Sequence, residues 1–188
     1  MATANYQAEV GKESKTARAY FGSAPISLKY STELCNQIKT RPVNKVIEFL
    51  KRVESHEEYL PLKTYHKKVA HRKGDSKQGV KSGRYPEMVS REFIKLLELA
   101  KTNADFKGLD AEKLTIIHAF ASMGVARFSY QSKGRIAGKA RRRNATNIEV
   151  IVQETKWNLL RCKNDRKNIH TKKFQQDGAW RLLNKETW

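Results

Sequence analysis

The chain has 188 residues, of which 39% are hydrophobic and 30% are charged, which suffices for one folded domain with a tail. Its 38 Lys and Arg exceed its 19 Asp and Glu, and the formal net charge is +19. This composition excludes a membrane-spanning protein and a featureless disordered one, and a compact domain with so much self-repulsion is expected to lie near a polyanion.

Several sequence features indicate the cellular compartment in which the protein functions. The chain contains no run of about 18 apolar residues that could form a transmembrane helix, and residues 1–11 have no apolar core typical of a secretory signal. Cys35 and Cys162 are the only cysteines and form no CxxC pair, so neither a structural zinc site nor a disulfide scaffold is expected. We therefore expect a cytoplasmic protein in which Cys35 is a small apolar residue.

The clearest predicted helix begins at Pro86 and ends before Gly108, since proline in the first turn and glycine just past the end are typical of helix boundaries. Its apolar face repeats at helical spacing and comprises Val89, Phe93, Leu96, Leu97, Ala100 and Ala104. Glu87 lies four residues before Arg91, a spacing that predicts an ion pair.

Two shorter helices are predicted before it, separated by Thr40, Arg41 and Pro42 because the residue before a proline disfavours the helical backbone. The first has Ser27 as its predicted N-cap. Its inward residues are Leu34, Cys35 and Ile38. The second follows Pro42 and has an apolar face of Val43, Val46, Ile47, Leu50 and Val53.

After Gly108 the hydrophobic period changes to two, which is typical of strands. In residues 114–123 both alternating sets are apolar, so this strand is predicted to be buried on both faces, with His118 a satisfied core histidine. Residues 146–154 alternate in the same way. Because no crossover helix separates the two strands, they are predicted to pair antiparallel as a hairpin.

The connection from Gly124 to about Ala145 is far longer than a usual hairpin loop and carries seven cations and no acid. It is either a disordered solvated loop or an extended ribbon, with glycine at the tip, that becomes ordered when phosphates neutralise it. Arginine favours bidentate phosphate contacts, and exposed aromatic rings favour stacking on unpaired RNA bases. The candidate RNA contacts are Arg127, Phe128, Tyr130, Lys133, Arg135, Lys139, Arg141, Arg142 and Arg143.

A second basic segment, residues 62–85, carries eight Lys and Arg against Asp75 alone. Aromatic and imidazole groups lie among these cations, which indicates phosphate or base contacts. His66, His71 and Asp75 also suggest a metal site, but this is the weaker hypothesis because no paired carboxylates lie nearby. The candidate RNA contacts here are Lys63, Tyr65, His66, Lys67, Lys68, His71, Arg72, Lys73, Arg84 and Tyr85, together with Lys29.

No enzyme is expected, because the sequence has no GxGxxG, P-loop, GxSxG or HExxH motif and its basic segments offer almost no carboxylates for acid–base chemistry. Two alternatives to a structural RNA-binding function would use the same residues. A DNA-compacting protein should bind duplex DNA as tightly as structured RNA at equal salt. An RNA-processing nuclease should show metal-dependent cleavage that His66→Ala abolishes.

Segments over about residues 15–154 resemble the L-twenty-two family of large-subunit ribosomal proteins, in its archaeal and eukaryotic form. The matching runs are Ala24-Pro25-Ile26-Ser27, Tyr65-His66-Lys67-Lys68-Val69-Ala70-His71-Arg72-Lys73-Gly74, Gly83-Arg84-Tyr85-Pro86, Asn103-Ala104-Asp105-Phe106-Lys107-Gly108-Leu109-Asp110, Leu114-Thr115-Ile116-Ile117-His118 and Asn147-Ile148-Glu149-Val150. The family's hairpin-tip motif Pro-Arg-Ala-x-Gly-Arg-Ala has its nearest match in Tyr130-Gln131-Ser132-Lys133-Gly134-Arg135-Ile136, which departs from it.

The resemblance implies an α+β fold in which three helices pack on a small antiparallel sheet with a long extended β-hairpin. It also implies a structural constituent of the large ribosomal subunit that binds large-subunit rRNA and supports subunit assembly, with the hairpin lining the peptide exit tunnel. The implied partners are this rRNA, neighbouring large-subunit proteins and the nascent peptide near the hairpin tip. No cofactor, metal, membrane or homo-oligomer is expected.

The predicted organisation is an N-terminal extension of residues 1–14, a core of residues 15–154 that includes the hairpin 114–154, and a basic C-terminal extension of residues 155–188. The C-terminal extension has a net charge of +6 and leucine pairs suited to short amphipathic helices. Its aromatic residues include Trp157, Phe174, Trp180 and Trp188. Docking onto neighbouring protein or RNA is favoured over a free tail, because three exposed tryptophans would be unusual.

Overall fold

The structure is a computed structural model that describes residues 6–8, 15–73 and 79–154. The chain divides after Glu154 into two units, and all the described residues lie in the first. The predictions on the C-terminal extension, Cys162 and Asp75 fall outside the described residues. Within these residues no helix is long and apolar enough to span a membrane. The elements in chain order are β1 (Thr16–Ala24), α1 (Leu28–Ile38), α2 (Val43–Glu54), β2 (Leu60–Pro61), β3 (Gly83–Arg84), α3 (Glu87–Phe106), β4 (Leu114–Met123), β5 (Arg127–Tyr130), β6 (Ala140–Arg143) and β7 (Thr146–Glu154).

A three-stranded antiparallel sheet of order β1-β7-β4 carries the helices on one face, which confirms the predicted α+β fold class. The antiparallel pairing of β4 with β7 is confirmed, whereas the strand β1 was not predicted. Its inward residues Ala17, Ala19 and Ala24 are buried but small, so β1 shows little hydrophobic contrast in the sequence.

The core lies between this sheet face and the three predicted helices, and α2 and α3 contribute equally to it. The predicted apolar face of α3 is confirmed, with Phe93, Leu96 and Leu97 fully buried. Each side chain of this size stabilises the fold by roughly 1.5–3 kcal/mol when it leaves water. Gly108 has a φ of 72°, so the glycine after the helix adopts the left-handed conformation that was predicted.

The predicted ion pair between Glu87 and Arg91 is wrong. Arg91 Nε instead donates to Glu54 Oε1 at 2.7 Å, and Glu87 Oε1 lies 2.7 Å from His56 Nε2. Glu54 at the end of α2 and His56 just after it lie beside the start of α3, and their contacts replace the weak contact within one helix.

Ser27 occupies the N-cap position of α1 as predicted, but its side chain makes no capping hydrogen bond. The main-chain oxygen of Ser27 instead accepts hydrogen bonds from the amide and the hydroxyl of Ser31, at 3.0 and 2.8 Å. The position was therefore predicted correctly and the capping interaction was not.

A β-bulge changes which residues of β4 face the core. Ile116 pairs with Val152 and His118 with Ile151, so Ile117 is the additional residue. After the bulge Ala119 and Ala121 are buried, while His118 lies outside the core cluster. The prediction of a satisfied histidine is confirmed, because His118 Nε2 lies 2.9 Å from Glu149 Oε1, but the predicted core position is wrong, because His118 is only half-buried. Only residues 114–116 of this strand fit the predicted burial on both faces.

Cys35 is a buried core residue, as predicted, and burial raises the pKa of its thiol to about 12. A thiol with so high a pKa remains protonated at mildly alkaline pH, and reagents that require the thiolate should not modify it. In a Cys162→Ser variant, which retains Cys35 as its one cysteine, we expect no reaction with Ellman's reagent until guanidinium chloride unfolds the protein. Rapid modification of the folded variant at the same pH would contradict this expectation.

Candidate nucleic-acid interface

A buried carboxylate on α1 holds the start of the basic segment 62–85. Glu33 is 2% exposed, and its Oε1 accepts hydrogen bonds from the amides of Thr64 and Tyr65 at 2.6 and 2.8 Å, while its Oε2 accepts one from Lys63 at 3.2 Å. Successive main-chain N–H groups of this kind form a concave anion-binding site. The negative charge of Glu33 is therefore satisfied inside the fold, and it fixes the direction of the chain where the cations begin.

Sequence reasoning missed the role of Glu33. One turn later on the same helix, Gln37 is also buried, and its Nε2 donates to the main-chain oxygen of Pro61. The two residues form an i, i+4 polar pair beside the apolar residues Leu34 and Ile38. A polar pair on an otherwise inward helix surface indicates buried hydrogen-bond partners, but the sequence did not show which segment supplies them.

Hydrogen bonds to main-chain oxygens hold the two ends of this segment together. β2 pairs antiparallel with β3, and the amide of Leu62 donates to the oxygen of Ser82 at 3.0 Å. Further along, Arg72 donates from its amide to Lys81 O at 2.9 Å and from its Nε to Gly83 O at 3.1 Å. The cationic segment is therefore anchored at its base, while residues 63–68 are exposed.

Cations and rings predicted to bind RNA lie close together in this region. The Nζ atom of Lys29 lies 5.7 Å from the ring centre of Tyr65, and the guanidinium of Arg72 lies 5.3 Å from that of Tyr85. His56, which was not among the predicted residues, stacks on Tyr85 with ring centres 4.9 Å apart and planes 10° apart. The structure thus brings Lys29 of α1 and His56, from the loop after α2, to the basic segment that the sequence indicated.

The predicted ribbon between β4 and β7 is present as a paired two-stranded hairpin. β5 and β6 pair antiparallel from Arg127 opposite Arg143 to Tyr130 opposite Ala140. The loop between them, residues 131–139, turns through Gly134 and Gly138, whose φ angles are 84° and 78°. This loop carries the exposed cations Lys133, Arg135 and Lys139. The dependence of this ribbon on phosphate stays a prediction.

The cations of both segments are available to an external anion. Residues 127–143 contain no carboxylate, and Phe128 and Tyr130 are 58% and 72% exposed. In residues 63–73, 84 and 127–143, as far as the structure describes them, no Lys or Arg forms an ion pair with a carboxylate. Ion pairs elsewhere in the described residues include Arg52–Glu58, Arg91–Glu54, Lys95–Glu92 and Lys113–Asp110.

The two histidines that suggested a metal site take part in contacts within the segment. His66 Nδ1 lies 2.6 Å from the main-chain oxygen of Lys63, and the main chain of His71 forms an isolated β-bridge with that of Ser82. Among the described residues no group of three or more His, Cys, Asp and Glu side chains is placed to hold a metal ion.

Comparison with known proteins identifies the family. A family model described as ribosomal protein L22p/L17e matches residues 19–153. The chain belongs to this family. Its relatives include the large ribosomal subunit protein uL22 of Ignicoccus hospitalis, 39% identical over 82% of this chain and 99% of that protein. The uL22 proteins of Methanococcus vannielii and Methanopyrus kandleri are 37% and 38% identical, over 82% and 76% of this chain and 99% and 89% of their own lengths.

Membership of the L22p/L17e family confirms the resemblance that the sequence motifs indicated. The matched region covers all three helices, the basic segment, the hairpin ribbon and most of the sheet. As a member of this family the chain is a structural ribosomal protein of the cytoplasm, and it is not an enzyme.

Proposed function

We propose that this protein is a structural constituent of the large ribosomal subunit that binds large-subunit rRNA through its two basic segments and supports subunit assembly. The names of its relatives support the choice of subunit. The observation that carries the rRNA assignment is the set of exposed cations, without carboxylate partners in the described residues, on segments anchored to an apolar core. Phosphates of a folded RNA supply the missing negative charge.

The proposed contacts combine cations for phosphates with rings for unpaired bases. On the basic segment and α1 they are Lys29, Lys63, Tyr65, His66, Lys67, Lys68, His71, Arg72, Lys73, Arg84 and Tyr85. On the hairpin they are Arg127, Phe128, Tyr130, Lys133, Arg135, Lys139, Arg141, Arg142 and Arg143. We further propose that the tip of the hairpin reaches the wall of the peptide exit tunnel, beside the nascent peptide, and that neighbouring large-subunit proteins are further partners.

The exposure of the hairpin supports this assignment. Residues 140–143 of β6 are all exposed, as are three of the four residues of β5, so the ribbon is not covered by the protein's own core. A ribbon two strands wide is marginally stable alone in water. An rRNA surface that encloses it would both cover its rings and neutralise its arginines.

Replacing Arg141, Arg142 and Arg143 together by alanine should weaken binding to a large-subunit rRNA transcript without changing the melting temperature. The slope of log K against log salt is negative, and each lost phosphate contact makes it less steep by roughly 0.7–0.9. The melting temperature should not change, because these side chains lie outside the core. Filter binding over a salt series and thermal denaturation measure the two effects.

A matched control removes the same charge elsewhere. The triple variant Arg52→Ala, Arg91→Ala and Lys95→Ala also loses three positive charges, but from helix faces where these cations pair with carboxylates. It should retain nearly all of the rRNA affinity. Equal losses of affinity and melting temperature in the hairpin variant would make this arm part of the folding core, and equal affinity for duplex DNA would favour a DNA-compacting protein instead.

A further inference from the structure

The pairing of β5 with β6 divides the arginine run at residues 141–143 between the two faces of the ribbon. Residues directly opposite each other in an antiparallel pair share a face, and successive residues of one strand alternate between faces. Arg127 lies opposite Arg143 and Ser129 opposite Arg141, so these four residues form the guanidinium face. The other face, which we call the aromatic face, comprises Phe128, Arg142, Tyr130 and Ala140.

The guanidinium face requires an external anion. Like charges directly opposite each other destabilise an antiparallel pair, and Arg127 and Arg143 are such a pair. Arg141 adds a third guanidinium on the same face, two residues away, beside the small hydroxyl of Ser129. No aromatic or acidic residue occurs on this face, so a planar guanidinium here is suited to bidentate contact with phosphate oxygens.

The aromatic face has a different chemistry. Phe128 and Tyr130 are largely exposed and lie two residues apart, about 7 Å along the strand, which leaves room for one base between their rings or one base on each. Arg142, opposite Phe128, donates from Nη2 to the Sδ atom of Met123 at 3.5 Å. Arg142 thus shares its face with the two rings, and its guanidinium contacts a thioether sulfur rather than a carboxylate.

We propose that the two faces bind different parts of the same rRNA: the guanidinium face binds phosphates, and the aromatic face stacks on unpaired bases. This inference rests on the proposed rRNA-binding function. It assigns Arg142 to the aromatic face and separates it from Arg141 and Arg143, with which it is contiguous in sequence. The phosphate contacts set the salt dependence of binding, and the stacking contacts set a salt-independent part of the affinity.

Binding of the full chain to an archaeal large-subunit rRNA transcript, measured over a series of KCl concentrations, separates the two faces. The Arg141→Gln/Arg143→Gln variant should make the negative slope of log K against log salt less steep by about 1.4 or more. The Phe128→Leu/Tyr130→Leu variant should lower the affinity at least about fivefold for each ring and leave the slope unchanged. Arg142→Gln should also leave the slope near its original value. Zero-length ultraviolet crosslinking should attach nucleotides to Phe128 or Tyr130.

Conservative variants provide the controls. Arg141→Lys/Arg143→Lys keeps both charges and should keep most of the salt slope, and Phe128→Tyr/Tyr130→Phe keeps both rings and should keep the affinity. A slope change for Arg142→Gln of half that for Arg141→Gln/Arg143→Gln, or unchanged affinity in the leucine variant, would overturn the division of the faces while leaving rRNA binding intact. Failure of the unmodified chain to bind the transcript would overturn the proposed function as well.

Discussion

Replacing Glu33 by glutamine is expected to lower the free energy of unfolding by about 3 kcal/mol or more and to weaken rRNA binding. Hydrogen bonds to a charged group contribute roughly 1.5–3 kcal/mol each, and this carboxylate accepts three from successive amides. The glutamine side chain has only one acceptor oxygen. Its NH2 group is a hydrogen-bond donor, and it would face main-chain N–H groups that are donors as well. Some of these amides would then lose their partner inside the fold.

Amide hydrogen exchange distinguishes this local effect from general destabilisation. In Glu33→Gln the amides of Lys63, Thr64 and Tyr65 should exchange faster than the rest of the sheet and helices, because their acceptor is lost. Glu98→Gln is the matched control, since Glu98 is exposed on α3 and the same loss of charge there should change stability by less than about 0.5 kcal/mol. Unchanged exchange at these three amides would show that Glu33 does not position the segment.

The loss of rRNA affinity expected for Glu33→Gln comes from positioning. Glu33 is buried and is not itself exposed to RNA, whereas the segment that it anchors presents Lys63 and Tyr65 at its surface. A misplaced segment must be ordered again when RNA binds, and that ordering costs free energy. The affinity should fall, while the salt slope should stay near that of the original chain because no proposed phosphate contact has been removed.

Elements that bury a periodic apolar face were predictable from the sequence. In α3, β4 and β7 the hydrophobic periodicity is contained within one segment, so these elements could be predicted from the local sequence. The strand β1 buries alanines, which differ little in size and hydrophobicity from their neighbours, and it was missed. The bulge at Ile117 depends on the partner strand, and it places His118 outside the core cluster that contains Ile116.

The residue types of the candidate interface were equally visible, but their arrangement was not. The basic segment and the hairpin stand out by charge alone. The contact of Glu33 with Tyr65 joins residues 32 positions apart, and the stack of His56 on Tyr85 joins two loops. The face that each hairpin arginine occupies follows from the strand register, which the glycine-rich tip alone did not determine.

The Gly83→Ala substitution is expected to lower the free energy of unfolding by about 3 kcal/mol, the upper end of the range for overpacking a core. A Cβ atom at residue 83 would lie 2.1 Å from Cδ2 of the Tyr59 ring and 2.9 Å from two further ring atoms. That ring is 5% exposed, and its hydroxyl donates to the main-chain oxygen of Val80 at 3.1 Å. It can therefore move away only by breaking this hydrogen bond and disturbing the pairing of β2 with β3.

A double-mutant cycle with Tyr59→Leu tests this cause by guanidinium chloride unfolding. If the ring is responsible, Gly83→Ala should lower the free energy of unfolding far less in the Tyr59→Leu background than in the original chain. The interaction energy between the two sites should then be about 1–3 kcal/mol. Gly22→Ala is the control, because its nearest contact is 3.2 Å to the half-exposed ring of Tyr20, which is free to shift. An equal cost of Gly83→Ala in both backgrounds would locate the strain in the main chain at residue 83. Because Gly83 O also accepts the Arg72 Nε hydrogen bond, a shift of this strand should reduce rRNA affinity along with stability.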